Sequence, residues 1–141
     1  MKNFFLMLLT AFAVIWTLPQ TLLGGFIVLV SRAAYMNEKD FARIYVSKWL
    51  PYMSGVSLGF YIIFGGDKVG NVRVGFDDVN HEYGHCLQSL ILGPLYILVI
   101  GIPSFLWAWF ICKWTGRDYY WFYTERWADK LGGVYRPLAR K

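Results

Sequence analysis

The chain has 141 residues, 57% of them hydrophobic and 16% charged. Ordinary soluble domains carry about 25% charged residues, so the length fits one domain and the chain is apolar for its size. The net charge is +5, but the basic residues are scattered beside apolar spans, which points to anionic membrane lipid and away from nucleic acid.

Aromatic residues make up 20% of the chain, and such rings suit a membrane interface, where one end of the side chain is apolar and the other wet. Cys86 and Cys112 do not make a disulfide framework and read as two buried apolar thiols.

Residues 3–31 carry no charged side chain. Lys2, the apolar run after it and the small residues Ala11 and Ala13 fit a signal peptide. Apolar character resumes after Pro19-Gln20, however, whereas a cleaved signal gives way to a polar mature chain. The stretch is therefore predicted to be a retained membrane element, kinked or broken at Pro19 and Gly24-Gly25.

In residues 32–54, Arg32, Glu38, Lys39, Asp40, Arg43 and Lys48 alternate with Ala33, Ala34, Phe41, Ile44, Tyr45 and Trp49. This pattern predicts an amphipathic helix lying along the membrane surface and ended by Pro51. Residues 55–76 are predicted to form a β-hairpin: a strand at 56–64, turn chemistry at Gly65-Gly66-Asp67, and a second strand at 72–76. Asp77 or Asp78 is placed to cap the helix that follows.

That helix carries His81 to Ser89. Residues 90–112 form a second uncharged span long enough to cross a bilayer, predicted to be interrupted at Gly93-Pro94 and again at Gly101-Ile102-Pro103. Lys113 to Asp118 reads as a polar loop. Tyr119 to Leu131 is predicted to be a final helix stopped by Gly132-Gly133, and the basic tail at Arg136, Arg140 and Lys141 is predicted to fray. The expected fold class is mainly α, with integral membrane helices and a small β-hairpin before the histidine-bearing helix. The whole chain, 1–141, is read as a single membrane-embedded domain whose metal-site core spans 77–133.

His81-Glu82-Tyr83-Gly84-His85 is an HExxH motif and holds the chain's only two histidines. On a helix, positions i and i+4 share one face, so both imidazoles can bind one Zn²⁺ at about 2.0–2.1 Å. Glu82, beside them, can take the proton of a water that attacks a carbonyl. A catalytic zinc site usually has three protein ligands, and the best candidates for the third are Glu125 and Asp129, i and i+4 on the final helix. One carboxylate can bind the metal while the other accepts the N–H of a ligating histidine and fixes its tautomer.

An HExxH helix followed by E-x-x-A-D-x-x-G resembles the signature of gluzincin metallopeptidases. It is most similar to the membrane-embedded branch containing the CAAX prenyl endopeptidases and the HtpX-type heat-shock proteases. The matching residues are His81, Glu82, His85, Glu125, Ala128, Asp129 and Gly132. The resemblance implies zinc held by His81, His85 and Glu125, with Glu82 as general base and Asp129 supporting a ligand from behind. It covers about residues 55–133 and rests on the two short motifs. The chain is much shorter than typical members of that branch. It also lacks a third histidine to stabilise the oxyanion; Tyr119, Tyr120 and Tyr123 are the substitutes, and nothing in the sequence selects one.

His85 precedes the second apolar span and Glu125 follows it. A single crossing of ~30 Å would put them on opposite faces of a membrane. For the two to share a metal, the chain must turn back, by a hairpin broken near Gly101-Pro103, by a returning aromatic helix at 119–131, or because the span is buried or re-entrant.

The function expected is that of a membrane zinc endopeptidase acting on a polypeptide, with the 56–64 strand pairing with extended substrate. The alternatives are a non-catalytic, zinc-stabilised membrane protein or complex subunit, and a hydrolase of lipids or small molecules using the same chemistry. The expected location is integral to a membrane, the cell membrane in particular, with the basic flanks on the cytoplasmic side.

Overall fold

The computed structural model describes residues 2–137; Arg140 and Lys141 of the predicted basic tail lie outside the described residues. The fold opens with two apolar helices, α1 (Lys2–Trp16) and α2 (Leu18–Val30), set at 82° to one another across Thr17. Pro19 falls in the first turn of α2, where a missing N–H breaks no helical bond. The Thr17 hydroxyl donates back to the Ala13 carbonyl at 2.8 Å.

Thus the predicted kink is real, but it lies just before Pro19, and α2 runs unbroken through Gly24-Gly25. Those glycines serve contact instead: a Cβ on Gly24 would meet the Leu58 carbonyl oxygen at 2.8 Å.

Residues 32–54 are not the predicted amphipathic helix. They contain β1 (Ala34–Lys39) and β2 (Ala42–Ser47), an antiparallel hairpin turning at Asp40, whose φ is +51°. Ala42, Ile44 and Val46 are buried while Arg43 is exposed, the two-residue alternation of a half-buried strand. A bulge between Tyr35 and Asn37 interrupts the alternation in β1 and hides it from a sequence reading.

The strand predicted over 56–64 is in fact a whole hairpin, β3 (Gly55–Leu58) and β4 (Tyr61–Gly65), folded at Gly59 with φ +62°. The second predicted strand, 72–76, pairs with nothing among the described residues. Val72 and Val74 instead pack against Ala42, Ile44, Ile62, Phe64 and Cys86. The sheet thus has four strands in the order β1-β2-β4-β3, with β2 and β4 parallel, and β3 forms an edge.

α3 (Phe76–Leu92) starts after Gly75, earlier than a cap at Asp77 or Asp78 predicts; both aspartates lie in its first turn, where the Asp78 carboxylate accepts the Gly75 N–H at 2.8 Å. It ends at Gly93, with φ +54°. The α1–α2 corner is fastened to this end. Trp16 Nε1 donates to the Leu90 carbonyl at 3.0 Å, and buried Gln20 donates to Ser89 Oγ at 2.8 Å and to the Gly93 carbonyl at 2.9 Å.

α4 (Ile97–Thr115) is the one described helix long and apolar enough by itself to cross a membrane; the bent pair α1–α2 qualifies only if taken together. No break occurs at Gly101-Ile102-Pro103. The helix passes through π-helical turns at Ile97–Gly101 and Trp107–Ile111, and such widened turns absorb a missing proline donor without ending the helix. Helix therefore also covers the first residues of the predicted polar loop, to Thr115.

Gly116, with φ +63°, then reverses the chain. Tyr119–Trp121 forms a short 3-10 turn that runs back along α4: Trp107 Nε1 donates to the Tyr119 carbonyl at 2.8 Å, and the Trp107 and Phe122 rings stack at 4.8 Å. The return delivers α5 (Tyr123–Gly132) onto α3, ending at Gly133. Of the predicted ways to bring Glu125 back to His85, the fold uses the return at 119–131, but not as one helix: extended Phe122 separates the 3-10 turn from α5, which starts at Tyr123 and not at Tyr119.

Candidate metal centre

α3 and α5 approach closely because their contact is made of very small residues. A Cβ on Gly84 would overlap the Ala128 carbonyl, and one on Gly132 would overlap the Asn80 carbonyl. Glu125, Ala128, Asp129 and Gly132 lie at i, i+3, i+4 and i+7, one stripe of α5. The small members let the helices touch, and the two acids then point into α3.

His81 and His85 sit one turn apart with ring centroids 4.9 Å apart and planes at 89°. Their Nε2 atoms lie 3.2 and 3.3 Å from a single oxygen, Glu125 Oε2. These three donor atoms lie within 4.8 Å of one another, and all three residues are buried. Each ring's other nitrogen meets an acceptor at 2.7 Å: His81 Nδ1 meets Asp129 Oδ1, and His85 Nδ1 meets Gln88 Oε1. The Gln88 amide is oriented by its own Nε2, which donates to the Thr124 carbonyl at 2.9 Å.

These bonds decide the chemistry of the centre. With Nδ1–H donated outward, each Nε2 presents a lone pair, and so does Glu125 Oε2. Three acceptors then face one another away from water, an arrangement that repels unless a cation lies among them. With protons alone, the site collects positive charge on the imidazoles. Burial pulls His81 down, but its bonds to Asp129 and Glu125 outweigh that and push its pKa up to about 10. His85 is raised in the same way, its bond to Glu125 overcoming burial. Burial would raise Glu125, yet the two histidines hold its carboxyl well below the usual range. Two neutral imidazoles and one carboxylate suit Zn²⁺ as well as they suit protons, and orienting acceptors on both Nδ1 atoms are what zinc-binding histidines generally have.

Glu82 lies on α3 beside these ligands, and Ser57 Oγ donates to its Oε2 at 2.7 Å. Its other oxygen faces Gly55 of the edge strand so closely that a Cβ there would overlap it. Glu82, His81 and His85 line a cleft of 730 Å³, walled by α2, β3 and α4. Tyr119 and Tyr120 also line it. The Tyr120 ring stands edge-on to His81 at 5.2 Å. Tyr123 is elsewhere, donating to the Val99 carbonyl at 2.6 Å.

The structure therefore brings together all five residues singled out from the sequence: His81, Glu82, His85, Glu125 and Asp129. Gln88, Ser57, Ser104 and Thr124 were missed. Gln88 was within reach of a sequence argument, being three residues after His85 on the same helix face; the others depend on tertiary placement. Comparisons with protein-family models, with curated proteins and with solved structures return no match for this chain.

Proposed function

We propose that this chain is a zinc-dependent endopeptidase embedded in a membrane, with His81, His85 and Glu125 as the metal ligands and Glu82 as general base. The observation that carries the proposal is the convergence of His81 Nε2, His85 Nε2 and Glu125 Oε2, each ring fixed from behind by Asp129 or Gln88. Zinc in such a site supplies a Lewis acid that polarises a carbonyl and acidifies water. Glu82, held by Ser57 at the cleft wall, takes the proton of the attacking water and returns it to the leaving amine. Asp129 and Gln88 keep both Nε2 lone pairs aimed inward. The Tyr119 phenol is the hydroxyl on hand for charge that develops on the carbonyl oxygen.

Three features support a polypeptide substrate and a membrane setting. β3 is an edge strand on the cleft, beside Glu82, where an extended chain can add by backbone pairing. Its reach is short, because the Tyr96 hydroxyl already occupies the Ser57 carbonyl at 2.9 Å. The cleft walls include Leu23 of α2 and Phe105 and Trp109 of α4, from the two helices whose apolar side chains also face outward. Lipid is the partner those faces fit, and a location in the cell membrane follows from this reading.

The test compares wild type with Glu82→Gln, both purified in detergent. The expected outcome is about one zinc per chain in both, and cleavage of an apolar peptide library by the wild type only, with a loss of roughly 10²–10⁴-fold in the variant. Zinc in both with cleavage by neither would replace the enzyme with a zinc-stabilised membrane protein.

A further inference from the structure

The two oxygens of Glu125 have different surroundings. Oε2 faces the imidazoles at 3.2 and 3.3 Å. Oε1 points away from them and accepts from Thr124 Oγ1 at 2.9 Å and from Ser104 Oγ. Thr124 is the neighbouring residue of α5. Ser104 comes from α4, twenty-one positions earlier in the chain, and is the only side-chain hydroxyl between Ile97 and Ile111. It sits between the two π-helical turns of α4, next to Pro103.

A carboxylate can bind a metal through one oxygen or through both. With both oxygens engaged, Glu125 would take the position that a catalytic zinc keeps open for its reactant. Hydrogen bonds to Oε1 stabilise that oxygen where it stands and make the one-oxygen mode the lower in energy. Glu125 is fully buried, so no water replaces a lost hydroxyl at once. Thr124 moves with Glu125 on the same helix and cannot fix it relative to α3. Ser104, from a separate helix, can.

From this geometry we infer that Ser104 is a positioning residue: its hydroxyl, carried on the apolar helix α4, holds Oε1 of Glu125 so that only Oε2 faces the metal. The inference rests on the zinc reading above. It also makes α4 part of the metal centre, beyond its role as an apolar wall.

The experiment uses the full chain in detergent and a pair of variants of equal shape, Ser104→Thr, which keeps the hydroxyl, and Ser104→Val, which does not. Zinc affinity is measured by chelator competition, and the visible absorption of the Co²⁺-loaded protein is recorded. The threonine variant is expected to match wild type in both. The valine variant is expected to bind zinc roughly 10–100-fold more weakly and to show a weaker, shifted Co²⁺ spectrum, as the carboxylate goes from one-oxygen to two-oxygen contact. A purely structural role for residue 104 would not separate two variants of the same shape. Equal affinity and equal spectra for valine and threonine overturn the role of Ser104 while leaving the zinc site standing. Failure of the wild type to take up either metal overturns the zinc reading and this inference with it.

Discussion

Gly84→Ala sets two effects against each other. Alanine is the better helix former by about 1 kcal/mol, so on propensity alone the substitution at the centre of α3 should stabilise. The packing says otherwise. A Cβ at this position would stand 2.7 Å from the carbonyl carbon of Ala128 and 3.0 Å from its Cα. Carbon atoms settle at about 3.5–4.0 Å, so α3 and α5 must part by roughly 1 Å, and the atoms in the way are backbone that cannot rotate aside. Overpacking of this kind costs about 1–3 kcal/mol, which cancels or exceeds the propensity gain. The metal centre is the more sensitive gauge, because His81 and His85 ride on α3 while Glu125 and Asp129 ride on α5. Zinc–ligand distances tolerate about ±0.2 Å, so a separation of that size should weaken zinc binding by at least roughly 100-fold. The assay is chelator competition, with thermal unfolding recorded with and without zinc. Gly70→Ala serves as control, since no atom lies within 4 Å of a Cβ there. A Gly84→Ala protein that binds zinc like the control would refute the claim that close approach of these helices builds the site.

Gln88→Leu keeps the side chain's bulk but removes the acceptor on His85 Nδ1, and zinc affinity should fall roughly 10–100-fold; an unchanged dissociation constant would deny Gln88 its orienting role. In the metal-free protein, the His81 pKa raised to about 10 contributes stability that is complete below about 6.5 and is lost as pH rises through about 10. Melting temperatures of chelator-treated protein should therefore fall over that window. Zinc must displace the same protons, so its apparent affinity should climb over the same range; a flat titration would contradict the protonated site. Membranes washed with alkaline carbonate should retain the chain, and its release into the supernatant would remove the case for integral insertion.

The site was more legible than the fold, for a physical reason. His81, Glu82 and His85 are joined by helix geometry alone, so a local spacing was sufficient to bring them together. Glu125 and Asp129 needed only a second helix face and the demand for a third ligand. The strands of 34–47 were misread because residue pattern and hydrogen bonding diverge there: charged residues alternate with apolar ones at spacings a helix also satisfies, and the bulge after Tyr35 breaks the two-residue period that would have identified β1. The turn at Gly59-Phe60 was missed because apolar residues on both sides make the run look continuous. Ser104 could not be found at all, since a lone serine in an apolar span carries no signal until the return of the chain past Gly116 sets it beside Glu125.

Placement of polar and apolar residues bears on why a chain this small holds such a site. Among the described residues, as many polar or charged side chains are buried as hydrophobic ones: Gln20, Gln88, Thr124 and Glu125 are fully enclosed, while Phe12, Ile15, Phe26, Leu98 and Phe110 are at least 60% exposed. In water that distribution would be unstable, because the enclosed groups forfeit hydration and the exposed ones order solvent. In hydrocarbon the signs reverse. Exposed apolar side chains then cost nothing, and enclosed polar groups are driven to find partners within the protein, since lipid offers none. Much of that demand is met within the protein: the Gln20 amide nitrogen donates to Ser89 and Gly93, although its Oε1 has no partner, while Gln88 bonds to His85 and Thr124, and Glu125 to Ser104 and Thr124. At the α3–α5 contact His81 Nε2 and His85 Nε2 converge on Glu125 Oε2, an arrangement that either shared protons or a cation can satisfy. On the proposed zinc reading the cation joins the network that holds the two helices together, so chelation should loosen the α3–α5 contact as well as stop the proposed hydrolysis; a melting temperature that chelator leaves unchanged would contradict this.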